Sequence, residues 1–185
     1  MTNRHPRLVF FSSNPNKAVE AERILGIPLL RLAIDFPEIQ AGTIEEITRY
    51  KLESAMVRRG GGLIVEDVAL GLSQLAGFPG PYIRWLLDWA GGKGLAELAS
   101  GLADRSARAV CCVGYWDGVE QKLFVGEVEG EVVTEPRGKE SFGWDPWFVP
   151  AGCARTFGEM SPEEKDRSSH RGAAYRLLRA HIEAR

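Results

Sequence analysis

The stretch 7–26, RLVFFSSNPNKAVEAERILG, contains in immediate succession the signals for a strand, a turn and a helix. Its apolar run, Arg7–Ser13, predicts a short buried strand. Asn14 can cap the following helix, Pro15 suits a first helical position, and Gly26 is typical of a helix end. A strand that leads directly into a helix is the repeating unit of α/β proteins, so this stretch indicates the fold class.

The remaining chain continues the alternation of strands and helices. Strands are predicted at Leu29–Ala33 and Leu63–Val65, and a helix from a Thr43 cap to about Arg59 lies between them in sequence. The further predicted segments are helices at Pro81–Ala90, Gly94–Leu102 and Ser168–Glu183, and strands at Ala107–Trp116 and Gln121–Val133. The last two strands form a pair joined by a turn. We therefore predict a single α/β domain over residues 1–185, built on a mixed sheet.

Composition excludes several classes of function. The 185 residues are 44% hydrophobic and 26% charged, as in ordinary globular proteins. No apolar run approaches the roughly 18 residues that a membrane span needs. A net charge of −2 argues against a nucleic-acid partner. Three cysteines fit neither a disulfide framework nor a metal site, which predicts a reducing, cytoplasmic setting.

Two predicted helices carry cations at their N-termini, where acidic residues are normally preferred. Lys17 lies in the first turn after Asn14, and His170 and Arg171 directly follow Ser169. Such cations are favourable when an anion is shared with the free backbone N–H groups of the helix end. The alternative is a solvated surface charge, which costs only about 0.3–1 kcal/mol.

A third lysine and three acids extend this pattern. Lys51 falls within the apolar arc of its predicted helix, where lysines usually extend to solvent but can also reach a phosphate in a cleft. Glu66 and Asp67 follow the buried run 63–65 and are predicted at a strand end, and Glu38 lies in a loop. One or two carboxylates together with phosphate oxygens are a typical Mg²⁺ ligand set.

Five blocks of the sequence resemble the inosine triphosphate pyrophosphatase family. They are SSNPNKAVEAERIL from Ser12, FPEIQAG from Phe36, VEDVALGLSQLAGFPGPYIRWLL from Val65, PRGKESFGWDPWFVP from Pro136 and TFGEMSPEEKDRSSHRGAA from Thr156. The combination of GFPGPYI, FGWDP and EEK…SHR, in this order, is highly specific. The resemblance implies a two-lobed α/β fold with a central nucleotide-binding cleft, a homodimer and dependence on Mg²⁺. It also implies hydrolysis of ITP, dITP and XTP to the monophosphate and pyrophosphate.

The resemblance further implies roles for individual residues. The phosphate-binding positions are Ser12, Ser13, Asn14, Lys17, Lys51 and Lys165. The metal ligands are Glu38 and Asp67, and the catalytic carboxylates are Asp67 and Glu66. The base-binding positions are Phe142, Gly143, Trp144, Asp145, Ser169, His170 and Arg171. Three positions depart from the family pattern: Ser13 stands in place of glycine, Val68 in place of a hydroxyl residue, and Asp166 in place of asparagine.

Base recognition follows from the polarity of the purine edge. Phe142 is the candidate for stacking on the base, and Asp145 can accept a hydrogen bond from the ring N1–H that adenine lacks. His170 or Arg171 can donate to the 6-keto oxygen. Trp147 and Phe148 are predicted to pack in the core instead. Two alternatives remain open: a Maf-like pyrophosphatase acting on modified pyrimidine or methylated nucleotides, and a non-catalytic nucleotide sensor or RNA-binding module.

Overall fold

A computed structural model of the chain describes residues 8–34, 36–139 and 143–184. The predicted stacking residue Phe142 lies outside the described residues. The strands are β1 (Val9–Phe11), β2 (Leu30–Leu32), β3 (Leu63–Leu72), β4 (Pro79–Gly80), β5 (Ser106–Trp116), β6 (Gln121–Val132) and β7 (Phe148–Pro150). The α-helices are α1 (Pro15–Leu25), α2 (Ile44–Met56), α3 (Ile83–Ser100, interrupted at Gly91), α4 (Pro162–Ser168) and α5 (His170–Glu183).

The strands form a seven-stranded mixed sheet. Its order is β2-β1-β3-β5-β6-β7, with β4 paired to β3. Strand β1 is parallel to both β2 and β3, whereas β4 on β3 and β7 on β6 are antiparallel. The predicted α/β class with a mixed sheet is confirmed.

Helix α1 begins and ends where its sequence signals predict. The Asn14 side chain accepts a hydrogen bond from the backbone N–H of Asn16 at 3.0 Å. Gly26 closes the helix at φ 71°, in the left-handed region, and donates its N–H to the Glu22 carbonyl at 2.9 Å. A residue with a Cβ is strained in this conformation, so glycine is well suited to end α1.

Strand β3 is longer than predicted, and this corrects the placement of two acids. Glu66 and Asp67 were expected at a strand end, but β3 continues through them to Leu72. The apolar residues after the acids remain part of the sheet, because Leu70 pairs with Gly80 of β4. The two carboxylates therefore lie in the interior of a strand.

The C-terminal region contains one more helix than predicted. A single helix over Ser168–Glu183 was expected, but Ser168 ends α4 and α5 begins at His170. Ser169 separates them in an extended conformation, with φ −90° and ψ 157°. The missed α4 starts with a capping box, in which the Ser161 hydroxyl accepts from the N–H of Glu164 and the Glu164 carboxylate accepts from the N–H of Ser161.

The chain divides into two compact units, and each has its own apolar core. Unit 1 comprises residues 1–67, 112–125 and 174–185, and unit 2 comprises residues 68–111 and 126–173. The unit 1 core contains Val9, Phe11, Phe36, Leu52, Ala55, Leu63 and Val65. The unit 2 core contains Leu70, Leu72, Ile83, Leu95, Ala99, Ala107, Ala109, Val132, Trp144, Phe148 and Phe157.

Two aromatic residues of the segment 141–150 pack as predicted. Phe148 is fully buried, and Trp147 is partly buried against the unit 2 core. Within the described ranges, no helix is long and apolar enough to cross a membrane.

Candidate active site

Unit 1 holds a group of two lysines and three acids, which we call the lysine–carboxylate cluster: Lys17, Glu38, Lys51, Glu66 and Asp67. The Lys51 ammonium donates to Glu38 Oε1 at 3.3 Å and to Asp67 Oδ1. The Lys17 ammonium lies 3.3 Å from Glu66 Oε1 and 3.4 Å from the Glu66 backbone oxygen. Helices α1 and α2 thus bring lysines to the acids of β3.

The alternation of side chains along β3 explains why each acid meets a different lysine. Successive residues of a strand point to opposite faces, so Glu66 and Asp67 face opposite sides of the sheet. Val65, on the same face as Asp67, packs in one core with Leu52 of α2. Asp67 therefore meets Lys51 from α2, and Glu66 on the other face meets a lysine of α1.

Glu38 is brought to the cluster by its neighbour Phe36, which the sequence reading did not single out. Phe36 is 8% exposed and packs against Phe11 in the unit 1 core, with 5.6 Å between the ring centroids. The buried ring fixes the start of the loop, and two residues later the Glu38 carboxylate reaches Lys51. The signal available in the sequence was an aromatic residue immediately before Pro37.

Neither lysine of the cluster extends into solvent, which was the alternative to a role in a binding site. The side chains of Lys17 and Lys51 are only 15% and 12% exposed. Burial lowers the pKa of Lys51, but attraction to Asp67 and Glu38 outweighs this and leaves the pKa above its ordinary value of 10.5. Lys51 is therefore held in the charged form by the acids that it contacts.

Asp67 combines burial with an oxygen that has no hydrogen-bond partner in the part of the chain that the structure describes. Burial raises the pKa of Asp67 above its ordinary value, and the positive charges of Lys51 and Lys17 oppose this shift. Its Oδ1 atom accepts from Lys51, whereas Oδ2 is buried and receives no hydrogen bond from residues 8–34, 36–139 or 143–184. Since a buried carboxylate oxygen is costly to leave unpaired, this atom is suited to a ligand.

The donor set of the cluster fits a hard divalent cation. Glu38 and Asp67 both contact the Lys51 ammonium, so their carboxylates lie close together. Mg²⁺ is commonly bound by one or two carboxylates, with waters and phosphate oxygens completing its octahedron. In the part of the chain that the structure describes, no three His, Cys, Asp or Glu side chains are grouped as a metal site. Glu38 and Asp67 are the two carboxylates that would hold such a cation.

The predicted phosphate-binding turn precedes α1. The Ser12 hydroxyl accepts from the Asn14 N–H at 3.2 Å. Ser13 takes the place of a glycine in the family pattern, yet Ala76 is the only non-glycine residue with a positive φ among the described residues. Serine therefore fits here without backbone strain. Arg31, which was not predicted as a site residue, donates from Nη1 to the backbone oxygens of Ser12 and Ser13.

Unit 2 contains a group of tilted rings in contact, which we call the aromatic cluster: Trp144, Phe157 and His170. The ring of His170 lies 5.1 Å from Trp144 and 6.1 Å from Phe157, measured between centroids. All three side chains are buried. Phe157 was missed, because nothing in its local sequence distinguishes it from an ordinary core residue.

Asp145 and Lys165 form a buried ion pair beside the aromatic cluster. Their charged atoms are 2.5 Å apart, and the two side chains are only 3% and 7% exposed. The Lys165 ammonium also lies 5.9 Å from the ring centroid of Phe157, within the range of a cation–π contact. Lys165 was predicted to bind phosphate; the structure places it beside the predicted base-binding residues.

The start of α5 brings three of the predicted base-binding positions together. Ser169 Oγ accepts from the Gly172 N–H at 3.0 Å and so caps the helix. His170 and Arg171 follow it and are only 2% and 1% exposed. Gly143 is exposed and has φ 55°, a left-handed conformation that favours glycine.

The chain matches the sequence pattern of a known protein family over most of its length. The sequence pattern of the Ham1 family matches residues 8–181. This chain belongs to the Ham1 family.

Relatives of this Ham1-family chain match it over nearly their whole lengths. The dITP/XTP pyrophosphatase of Thermococcus kodakarensis is 42% identical over 173 residues, covering 92% of this chain and 94% of that protein. The inosine triphosphate pyrophosphatase of Emericella nidulans is 43% identical over 166 residues, covering 88% of each chain. The solved structure of a HAM1 protein from Coxiella burnetii superposes with a TM-score of 0.82 at 27% identity, covering 97% of this chain and 99% of that one.

Proposed function

We propose that this Ham1-family chain hydrolyses noncanonical purine nucleoside triphosphates, namely ITP, dITP and XTP, to the monophosphate and pyrophosphate. Its relatives are named as pyrophosphatases for inosine triphosphate or for dITP and XTP. The observation in this chain that carries the proposal is the buried Asp67 carboxylate, whose Oδ1 contacts Lys51 and whose Oδ2 has no hydrogen-bond donor among the described residues.

Unit 1 supplies the groups for the triphosphate and its metal. Glu38 and Asp67 are the carboxylates that would hold Mg²⁺, which when bound neutralises charge on the phosphate oxygens. Lys17 and Lys51 bring two ammonium groups to the same cluster. Charge neutralisation and positioning supply most of the catalysis in phosphoryl chemistry, and these are the contributions that the cluster can make.

Asp67 also serves to orient or deprotonate the attacking water, or Glu66 does so in its place. A general base must lie within hydrogen-bond reach of the water, and a carboxylate oxygen without a protein donor can accept from it. Among the described residues, Asp67 Oδ2 is a buried carboxylate oxygen without such a donor, which supports this role. Glu66 points to the other face of β3, where it contacts Lys17.

Unit 2 supplies the groups that read the base. Asp145 is the acceptor for the purine N1–H, and Lys165 holds its carboxylate in place through the buried ion pair. His170 and Arg171 are the candidate donors to the 6-keto oxygen. Adenine presents the opposite polarity at both positions, and polar sites reject such mismatches strongly. Ser169 caps the helix that carries both donors, while Trp144 packs against His170 and fixes its ring.

The direct test is release of pyrophosphate from a panel of nucleotides, with and without Mg²⁺. Equal concentrations of ITP, dITP, XTP, GTP and ATP are compared with methylated and modified pyrimidine triphosphates. The proposal expects 6-keto purines lacking a 2-amino group to dominate, and activity to depend on Mg²⁺. Preference for pyrimidine or methylated nucleotides would favour the Maf-like alternative, and nucleotide binding without any pyrophosphate would favour a sensor.

The chain forms a homodimer under this proposal, and exposed aromatic side chains support it. Trp85 and Trp89 are 42% and 82% exposed and lie 6.0 Å apart, measured between ring centroids. Phe78 and Tyr82, from the same stretch, are also exposed. Contiguous exposed apolar surface of this kind typically marks an interaction site.

Analytical ultracentrifugation tests the dimer. The native chain should sediment as a dimer, and Trp89→Glu should shift it to monomer. Val119→Glu is the matched control, because Val119 is 94% exposed but lies far along the sequence from the aromatic stretch. A monomeric native chain, or dissociation in the control variant alone, would contradict the proposal.

A cytoplasmic location is also part of the proposal. The substrates belong to the nucleotide pool, and no disulfide joins the three cysteines within the described residues, as a reducing compartment allows. Fractionation of cells that express the tagged chain would test this location, and recovery outside the cytoplasmic fraction would contradict it.

A further inference from the structure

Arg31 contacts the turn at which the chain leaves β1. It lies on β2 opposite Phe10, and its Nη1 donates to the backbone oxygens of Ser12 at 3.0 Å and Ser13 at 3.3 Å. We propose that Arg31 is a positioning residue for triphosphate binding, because it fixes the carbonyls of this turn and thereby orients its N–H groups. This inference rests on the proposed function, in which the turn and Lys17 bind phosphate.

Peptide geometry gives the physical reason. In a planar trans peptide the C=O and the following N–H point in opposite directions. When Arg31 binds the oxygen of Ser12, the N–H of Ser13 must point away from the guanidinium, whereas the N–H of Asn14 is held by Ser12 Oγ. The carbonyl oxygens, whose partial negative charge would repel a phosphate, are at the same time held by a cation.

The remaining hydrogen bonds of the turn hold the Asn14 N–H but leave the peptide between Ser12 and Ser13 to Arg31. Asn14 donates its N–H to Ser12 Oγ, and the Asn14 side chain accepts from the N–H of Asn16. These local bonds fix the entry into α1, whereas the Ser12 and Ser13 carbonyls are bound by a residue of a different strand.

The experiment compares Arg31→Met with Arg179→Met. Arg179 is a half-exposed arginine whose Nε donates to Glu183 at 2.7 Å, so its variant removes an equal charge without touching the turn. Arg31→Met should raise KM for ITP roughly fivefold with little change in kcat, because the lost contacts are charge-assisted but exposed. Affinity for Mg²⁺–tripolyphosphate, measured by calorimetry, should fall by the same factor, whereas inhibition by inosine should be unchanged. Arg179→Met should match the native chain in every measurement.

Amide hydrogen exchange gives a local readout. Exchange in the segment 12–17 should accelerate in Arg31→Met and not in Arg179→Met, whereas a general loss of stability would accelerate exchange throughout both units. Unchanged exchange in this segment would overturn the inference.

The outcomes separate this inference from the proposed reaction. If both variants hydrolyse ITP with the same KM and bind tripolyphosphate with the same affinity, positioning by Arg31 is refuted and the proposed reaction is not. Binding of tripolyphosphate that depends on Arg31, without release of pyrophosphate from ITP, would uphold the positioning role and refute the reaction. The inference would also be overturned if Arg31→Met weakened the binding of inosine and of tripolyphosphate equally, or if the native chain did not bind tripolyphosphate.

Discussion

Replacing Lys165 by methionine tests the buried ion pair of unit 2. The substitution keeps an apolar stem of similar length but removes the ammonium that lies 2.5 Å from Asp145. The Asp145 side chain is 3% exposed, so little of the lost stabilisation can be recovered from water. Breaking a buried pair in this way costs about 3–5 kcal/mol. For a chain of this size, we expect Tm to fall by roughly 6–20 °C.

Urea unfolding followed by far-UV circular dichroism measures this loss. The control is Arg105→Met, which breaks the half-exposed pair between Arg105 and Glu131 in the same unit. Pairs as exposed as this one contribute about 0.2–1 kcal/mol. The free energy of unfolding should therefore fall several times more in Lys165→Met than in the control.

A double-mutant cycle with Asp145→Asn identifies the cause. When both charges are removed, neither is left buried without its partner. The double variant should then be more stable than the sum of the two single losses implies, by about 0.5–3 kcal/mol. Additive losses, or a Lys165→Met loss no larger than that of Arg105→Met, would refute the reasoning.

Three further predictions concern phosphate binding, base choice and thiol chemistry. Lys17→Ala should weaken ITP binding roughly 10- to 100-fold and leave inosine binding unchanged, with the 84%-exposed Lys93→Ala as control; equal loss for both ligands would exclude a phosphate contact. Asp145→Ala should lower the ratio of kcat/KM for ITP over ATP by roughly tenfold or more, and an unchanged ratio would remove this residue from base recognition. Burial raises the pKa of Cys112 to about 12, above its unfolded value of 9.0, so stability from this thiol is present below pH 9 and is lost as the pH rises towards 12. At pH 8, iodoacetamide should therefore label the exposed Cys153 in the native chain and spare Cys112, as measured by mass spectrometry. Labelling of Cys112 in the native chain would contradict this prediction.

Local signals in the sequence were sufficient for the first helix but not for every boundary. Asn14 and Gly26 define α1 because a cap and a left-handed glycine act within a few residues of the helix end. The extent of β3 could not be predicted in the same way. Its two acids interrupt the apolar pattern, and pairing with β4 and β5 in the sheet keeps the strand intact beyond them.

The partners of the charged residues were also beyond sequence reasoning. Periodicity correctly placed Lys51 on the apolar face of α2, but the acids that it meets are 13 and 16 residues away and arrive through the fold. Lys165 and Asp145 are likewise 20 residues apart in the chain. The resemblance named both residues, yet the direct contact between them depends on tertiary packing in unit 2.

The most direct test of the account is pyrophosphate release from ITP by Asp67→Asn, measured beside Asp88→Asn. Asparagine keeps the size of the side chain but removes the charge that contacts Lys51 and that would hold the metal, whereas Asp88 is exposed on α3. The account predicts that kcat/KM falls roughly 10²- to 10⁴-fold in Asp67→Asn, with the fold retained, and stays at the native value in Asp88→Asn. Near-native turnover in a folded Asp67→Asn variant would contradict it.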